Sequence, residues 1–266
     1  MWLADNMQNK AFETYAVIDA NIVGTTMEEA LSAVARMARS GESGYACFVN
    51  GHVSVMTRQH SELKDAVNSS TFAFPDGMPV YLVGRYLWGR KIHKISGPDF
   101  MQKVFEDEKL RRLNHYFYGG QEKVLEALLE KLKLIYPGCN IVGAEPPPFR
   151  PLTEEEQRQA LDRINAAGAQ IVWVGLGAPK QELWMQRNTR LLPGSVLLGV
   201  GAAFDFHAGS IKRAPIFMQK IGLEWLYRLM QDPGRLWRRY LVTNSLFIYY
   251  TFIDTIRRWS VKSPRS

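Results

Sequence analysis

Short apolar runs alternate with longer stretches of helical periodicity along most of this chain. The runs are bounded by glycine, proline or polar residues, as buried strands are. They cover residues 45–49, 71–74, 115–118, 140–143, 171–174 and 196–200. Strands that alternate with helices in this way predict an α/β fold, with a Rossmann-like, mostly parallel sheet flanked by helices.

Several helix starts and turns are marked by their own signals. Thr26 precedes Glu29, and Thr153 precedes Glu156, by the three positions of a capping box, so helices are expected to begin at both threonines. Further helices are expected over residues 60–69, 121–136 and 181–190, and from the turn at 97–98 to about residue 112. Residues 15–23 predict a strand or a small hairpin.

Polar residues and glycines follow the predicted strands, at the edge of the sheet where α/β proteins bind their ligands. Asn50 follows the first of these strands, Asp76 the second, Gly119 and Gly120 the third, and Asp205 the last. Glycine turns after a strand can present backbone N–H groups to phosphate, although two glycines also simply permit a tight turn. These positions are therefore candidates for a binding site.

Three aspartates near strand ends are candidates for a general base: Asp76, Asp99 and Asp205. Asp76 has a structural alternative, since it could cap the helix whose first turn contains Pro79. Asp99, which follows a Gly-Pro turn, is more typical of a helix cap than of a catalytic residue.

The glycine loop at residues 175–182 follows the most strand-like run of the chain. It begins Gly-x-Gly, but the third glycine of the dinucleotide fingerprint is missing, which argues against an NAD-dependent oxidoreductase. Pro179, Lys180 and Gln181 lie at a helix start and could line a site for a sugar or a phosphate. Lys and Gln are also common on the surface at helix starts.

Metal and nucleophile chemistry find little support. The five histidines are scattered, and no His-x-x-x-His, Cys-x-x-Cys or Asp-x-Asp spacing occurs, so no metal and no cofactor are expected. No Gly-x-Ser-x-Gly nucleophile motif is present, and Cys47 is expected to pack inside a strand. Two cysteines give no disulfide framework, which is typical of a reducing cytosol.

The C-terminal stretch is basic and aromatic, while the rest is nearly neutral. Residues 211–266 contain eleven Lys or Arg against three Asp or Glu, and ten of the thirty-one aromatic residues. This composition suits an anionic membrane surface or a phosphate-rich ligand. Nucleic acid would attract the same residues, but no helix-turn-helix, zinc-finger or RNP-like pattern supports it. The plainest alternative is a pair of amphipathic helices packed on the body. We divide the chain into a body, residues 1–210, and an appendage, residues 211–266.

No membrane-spanning segment or secretory signal is expected. The most apolar stretch, residues 241–256, is interrupted by Asn244, Ser245 and Asp254 and is short for a spanning helix. The first thirty residues contain several charges and no apolar run. A helix lying in the membrane interface is the better prediction.

Taken together, the motifs resemble the WecG/TagA/CpsF glycosyltransferases, also called glycosyltransferase family 26. The matching pieces in the first part of the chain are Asn50, Pro75-Asp76-Gly77-Met78-Pro79, Gly97-Pro98-Asp99-Phe100, Tyr116-Phe117-Tyr118-Gly119-Gly120 and residues 174–182. The longest is residues 199–209 (GVGAAFDFHAG), which continues through Arg213-Ala214-Pro215, residues 222–229 (GLEWLYRL) and residues 235–240 (RLWRRY). The resemblance holds in consistent order over roughly residues 15–240.

The resemblance implies an inverting, metal-independent transferase with a Rossmann-like body and a membrane-binding C-terminal appendage. It would move a hexose or N-acetylhexosamine-type sugar from a UDP-sugar to a polyprenyl-diphosphate-linked sugar, in the synthesis of bacterial cell-surface polysaccharide such as exopolysaccharide. The expected place is the cytoplasm, peripherally attached to the inner face of the plasma membrane. An appendage of this kind could also self-associate, which leaves a homo-oligomer open.

The resemblance also assigns roles to residues. It implies that Asp76 is the catalytic base and that Gln181 belongs to the substrate site. The arginines that it would bring from the appendage to the active site are Arg228, Arg235, Arg238 and Arg239. The remaining substrate-binding candidates are Asn50, Gly119, Gly120, Gly177, Glu182 and Asp205. The alternatives are a non-catalytic peripheral membrane adaptor and, less favoured, an NAD-dependent oxidoreductase.

Overall fold

The structure, a computed structural model, describes residues 12–90, 92–148 and 150–262. In chain order the strands are β1 (Thr14–Val17), β2 (Ala20–Val23), β3 (Gly44–Val49), β4 (Phe72–Pro75), β5 (His115–Gly119), β6 (Ile141–Glu145), β7 (Ile171–Gly175) and β8 (Val196–Gly199). The α-helices are α1 (Met27–Ser40), α2 (Gly51–Gln59), α3 (Ser61–Asn68), α4 (Met78–Leu82), α5 (Gly97–Glu106), α6 (Glu122–Ile135), α7 (Glu154–Ala166), α8 (Lys180–Asn188), α9 (Ala203–Ala208), α10 (Ile216–Lys220), α11 (Glu224–Gln231) and α12 (Pro233–Lys262). A π-helical turn, Val83–Leu87, continues α4.

Six strands form one parallel sheet in the order β4-β3-β8-β7-β5-β6, which confirms the predicted α/β class. β1 and β2 form a separate antiparallel hairpin, one of the two arrangements expected for residues 15–23. The register brings the strand ends together: Val49 lies opposite Pro75, and Gly119 lies opposite Gly175. The residues that follow these strands therefore meet at one edge of the sheet, as predicted.

The sheet is buried on both faces because successive side chains of each strand point to opposite sides. Phe48, Phe117 and Trp173 pack into the layer that contains α1, α5 and α6. Tyr118 and Val174, each next to one of those residues in sequence, pack into the layer on the other face. Near-continuous apolar runs are the expected sequence of strands covered on both sides.

The capping boxes at Thr26 and Thr153 are both present. Each threonine side chain accepts a hydrogen bond from the backbone N–H of the glutamate three residues on, and each glutamate accepts one from the backbone N–H of its threonine. Exchanging these bonds satisfies two N–H groups that would otherwise lack a partner at the helix start.

One helix was not predicted, and another ends earlier than predicted. α2 begins directly after β3, where the sequence indicated only polar residues at the end of a strand. α5 ends at Glu106 rather than near residue 112, because the Asp107 carboxylate accepts hydrogen bonds from the N–H groups of Lys109 and Leu110 and closes a turn there.

The last helices lie over the carboxyl edge of the sheet. The α12 helix packs on α2: the buried Phe247 ring lies against Gly51, and the Thr243 hydroxyl is 3.1 Å from Nδ1 of His52. No helix in the part of the chain that the structure describes is both long enough and apolar enough to cross a membrane. The division into a body and an appendage at residue 210 stays a prediction.

Candidate active site

A cavity of about 350 Å³ lies between the carboxyl edge of the sheet and the C-terminal helices. Its floor comes from residues after β3 and β4, including Asn50 and Asp76, and from Gly199 to Ala203 at the end of β8. Its roof comes from the C-terminal helices, which contribute Glu224, Trp225, Arg228, Arg239 and Tyr240. The predicted base and two of the predicted arginines thus share one cavity.

A second cavity of about 730 Å³ adjoins the first, at the ends of β5 and β7. It is lined by Tyr118, Gly120, Lys180, Trp184 and Asp205, and by Pro147, Pro148, Arg150 and Pro151. Five residues line both cavities: Gly177, Gly201, Ala202, Arg228 and Arg239. The two cavities therefore form one cleft, with two arginines at the junction.

Asp76 has an unusually basic carboxyl group. Burial raises its pKa to about 7, and the negative charges of Glu224 and Asp99 add to the rise, while Lys94 and Arg228 oppose it. Its backbone N–H donates to Val49 O at 2.9 Å, which fixes the residue at the end of β4. The capping alternative is not realised, since Gly77, at φ 83°, is the cap residue of α4 and no side-chain capping bond is made.

Asn50 has a structural role at the cavity wall. Its side-chain oxygen accepts hydrogen bonds from the N–H groups of His52 (3.0 Å) and Val53 (3.1 Å), so it caps α2. The same side chain lines the smaller cavity. The cap holds α2 in position directly beside Asp76.

The Gly119-Gly120 turn requires both of its glycines. Gly119 has φ 127°, and a Cβ there would lie 2.6 Å from the carbonyl carbon of Gly175. Gly120 has φ 75°, and its N–H donates to Gly175 O at 3.0 Å. A side chain at Gly119 would force the ends of β5 and β7 apart, and one at Gly120 would be strained by the positive φ and crowd the Phe204 ring at 3.2 Å. Gly120 lines the larger cavity.

Gln181 holds the glycine loop from inside. Its side-chain oxygen accepts the Gly177 N–H at 3.2 Å, and its amide nitrogen donates to Gly199 O at 2.8 Å and to the Glu182 carboxylate at 2.9 Å. Only 4% of its surface is exposed, although it contributes to the wall of the smaller cavity. The amide that was predicted to contact substrate is thus engaged in joining β8 to the loop after β7.

Glu182 is completely buried and is not among the residues that line either cavity. Burial raises the pKa of its carboxyl group to about 7. Its contact with Gln181 links it to the site indirectly. The structure therefore gives it a place behind the loop and not in the cleft.

The predicted arginines differ in position. Arg228 faces both cavities and lies 5.3 Å from the centre of the Phe206 ring, in the segment that contains Asp205. Arg239 also faces both cavities. Arg238 is exposed, lies over the Trp237 ring and is not among the residues that line the cleft. The side chain of Arg235 lies outside the described residues.

Three further charged residues belong to this region and were not singled out from the sequence as site residues. Lys94 and Glu224 line the smaller cavity with Asp76. Arg213 pairs with Asp99 at 2.6 Å, and its Nε lies 3.5 Å from the Glu224 carboxylate. Glu224 and Arg213 lie inside the motifs that carry the family resemblance, and this was the only sequence signal that pointed to them. Asp99 itself is engaged with Arg213 and with the Ser96 hydroxyl, which fits its interpretation as a structural residue.

Across the described residues, no three His, Cys, Asp or Glu side chains come together as a metal ion would require. The acidic groups that line the cleft are Asp76 and Glu224 in the smaller cavity and Asp205 in the larger one, together with a set of Lys and Arg side chains.

A parallel sheet with helices on both faces and a charged cleft at its carboxyl edge places this chain in the class of Rossmann-like α/β proteins. A model of the glycosyl transferase WecG/TagA/CpsF family matches residues 15–261. The chain belongs to this family and is a glycosyltransferase of cell-surface polysaccharide synthesis.

Proposed function

We propose that the protein is an inverting, metal-independent transferase that moves a sugar from a UDP-sugar to a polyprenyl-diphosphate-linked sugar. In this reaction Asp76 takes the proton of an acceptor hydroxyl. The hydroxyl oxygen forms a bond to the anomeric carbon from one face, and the bond from that carbon to the β-phosphate oxygen breaks on the other. UDP leaves with the electron pair.

The observation that carries the proposal is the position of Asp76 opposite two arginines in one cleft. A general base works best when its pKa lies near the working pH, and burial brings the pKa of Asp76 to about 7. Lys94 lies in the same cavity, and its positive charge favours the ionised carboxylate, the form that can accept a proton.

The leaving diphosphate needs positive charge at the place where the sugar bond breaks. Arg228 and Arg239 occupy the junction of the two cavities and can reach a group in either. Charge-assisted bonds from arginine to phosphate are among the stronger hydrogen bonds in proteins. They would act here in place of a metal ion.

The two cavities suit the two substrates. The larger one has an aromatic side, where Trp184 stacks on Tyr118 at 4.5 Å, and a cationic side that includes Lys180 and Arg187. A uridine diphosphate would find both a stacking surface and charge there. The smaller cavity, with Asp76, would hold the acceptor sugar.

The lipid-linked acceptor requires access from a membrane surface. Ile216, Phe217 and Ile221, in and beside α10, are all more than half exposed, and Lys220 lies among them. Gln219 and Gly222, in the same short segment, line the cavity that contains Asp76. An interfacial α10 would thus bring the cavity mouth close to the diphosphate of the carrier.

The test is UDP release from a panel of UDP-sugars, with a short-chain polyprenyl-diphosphate-sugar acceptor and EDTA present. Turnover with one donor is expected, with the anomeric configuration of the product opposite to that of the donor. Asp76→Asn is expected to reduce transfer by at least about a thousandfold, since it removes the base. The matched variant Asp65→Asn, at an exposed position on α3, should retain full activity.

Three results would overturn the proposal. They are strict dependence on a divalent metal, retention of configuration, or full activity of Asp76→Asn. Silence across the whole panel would also count against it, and would favour the adaptor alternative if vesicle binding persisted.

A further inference from the structure

Glu224 is a second carboxylate in the cavity that contains Asp76. It belongs to the C-terminal helices, as the first residue of α11, whereas Asp76 directly follows β4 of the sheet. About a quarter of its side chain is exposed. The mechanism proposed above does not use it.

A close contact joins the turn before Glu224 to the segment after Asp76. Gly222, two residues before Glu224, adopts φ 80°, and a Cβ there would lie 2.7 Å from Cγ of Met78. Met78 is the second residue after Asp76. The turn before α11 therefore rests directly on the segment that contains the base, and only glycine permits this distance.

Arg213 does not neutralise both of its acidic neighbours equally. Its guanidinium is 2.6 Å from the Asp99 carboxylate, which also accepts a hydrogen bond from Ser96. Its Nε is 3.5 Å from Glu224 and makes no hydrogen bond there. The positive charge of Arg213 thus offsets the negative charge of Asp99 more than that of Glu224. The Glu224 carboxylate therefore presents more uncompensated negative charge to the cavity.

The charged groups that act on Asp76 are two acids and two bases. Glu224 and Asp99 oppose ionisation of its carboxyl group, and Lys94 and Arg228 favour it. Glu224 ranks first among these charges, after burial itself. Without Glu224, the two cations would stabilise the ionised form and make Asp76 a weaker base.

We propose that Glu224 is a positioning residue for transfer: the C-terminal helices place its carboxylate in the cavity that contains Asp76, where it acts on the group that receives the acceptor's proton. This inference rests on the proposed function, in which Asp76 is the base. It gives the C-terminal helices a second role, since they would influence the basicity of Asp76 as well as bind the diphosphate.

The test is the pH profile of kcat/KM for Glu224→Gln. Its acidic limb should move to lower pH by about one unit, because one like charge has been removed. Relative to each enzyme's own plateau, activity at pH 6 should rise about fivefold, while the plateau above pH 8 should fall about threefold, as expected for a weaker base. Loss of a merely structural residue would lower the rate at all pH values by one factor and leave the limb in place.

Two matched variants sharpen the test. Glu224→Asp keeps the charge and should keep the wild-type limb. Glu130→Gln removes the same charge from an exposed position on α6 and should leave the profile unchanged. A limb that moves as far in Glu130→Gln as in Glu224→Gln would overturn the inference.

A titration of the Asp76 carboxyl carbon by NMR separates this inference from the proposed function. The resonance is assigned by its absence in Asp76→Asn, and its midpoint is measured in the full chain without substrates. A midpoint about one unit lower in Glu224→Gln supports the inference, and an unchanged midpoint overturns it. If no donor supports transfer, the proposed function fails while this titration still decides whether Glu224 acts on Asp76.

Discussion

At the scale of single residues, two carboxyl groups near the cleft have pKa values raised to about 7, and their surroundings separate their roles. Asp76 faces the cavity, where a ligand can reach it. Glu182 has no exposed surface, and its Oε2 has no hydrogen-bond partner in the described structure. A perturbed pKa marks a candidate site only when the group is also accessible.

Glu182 should make the stability of the protein depend on pH. Its carboxyl pKa is raised by burial from an unfolded value near 4.5 to about 7, so its stabilising effect is complete below 4.5 and is lost as pH rises through 7. Glu182→Gln keeps an oxygen for the Gln181 bond but cannot ionise. We expect this variant to exceed the wild type in unfolding free energy at pH 8 by roughly 3 kcal/mol, and by much less at pH 5.

Urea denaturation at the two pH values would measure this difference. The exposed variant Glu130→Gln serves as the control and should follow the wild type at both. A Glu182→Gln protein that matches the wild type at pH 8 would show that the buried carboxyl group carries no such penalty.

Residues next to the strand ends could be predicted from the sequence, while their contacts could not. Asp76 directly follows β4, and the glycine pair at 119–120 lies at the end of β5, so the parallel sheet fixes their location. The inward direction of Gln181 depends on the distance between two loops, and Lys94 reaches the cavity only through the fold of an irregular segment. Neither the direction of Gln181 nor the position of Lys94 follows from a local sequence pattern.

At the scale of elements, helices with strong local signals were predicted and α2 was not. α2 contains Gly51 and the β-branched residues Val53, Val55 and Thr57, all poor helix formers. What stabilises it is the Asn50 cap at its start and the burial of Val53, Val55 and Thr57. Tertiary packing overrides weak propensity here, and packing partners cannot be read from one segment.

An ion pair between elements fixes the far end of α12 to the body. Arg58, on α2, donates to both oxygens of Asp254 at 3.2 and 2.9 Å and to Asp19 at 2.8 Å, and it lies over the Tyr250 ring. The three charged side chains are about three-quarters buried. A bidentate, partly buried pair contributes more than an exposed one.

Asp254→Asn should therefore loosen the end of α12 without unfolding the sheet. We expect the local opening free energy near residues 249–258 to fall by about 1 kcal/mol, which speeds amide exchange there about fivefold. Hydrogen exchange with mass spectrometry measures it. Glu62→Gln is the control, since its 3.6 Å contact with Arg187 is well exposed and should matter little. Equal exchange in both variants would refute the anchoring role.

At the scale of the whole molecule, positive charge and exposed apolar side chains concentrate in the same C-terminal helices that roof the cleft. Large apolar residues at least half exposed include Ile216, Phe217, Ile221, Met230, Leu241, Val242, Ile248, Tyr249 and Phe252. Scattered exposed apolar residues are normal, but a concentration of them beside a net positive charge is typical of an interaction surface. The basic and aromatic composition of residues 211–266 is the sequence signal that indicated this surface.

If this surface binds membrane, α10 should contribute through apolar insertion as well as charge. We expect the double variant Ile216→Ser with Phe217→Ser to bind phosphatidylcholine vesicles containing about one-third phosphatidylglycerol at least tenfold more weakly than the wild type. Added salt should weaken the wild type further by screening the charge component. The control is Leu134→Ser with Ile135→Ser, which removes two apolar side chains of α6 that are also more than half exposed, at an unchanged net charge. Vesicle flotation would measure all three proteins, and equal losses in the two double variants would mean that α10 has no specific place in the interface.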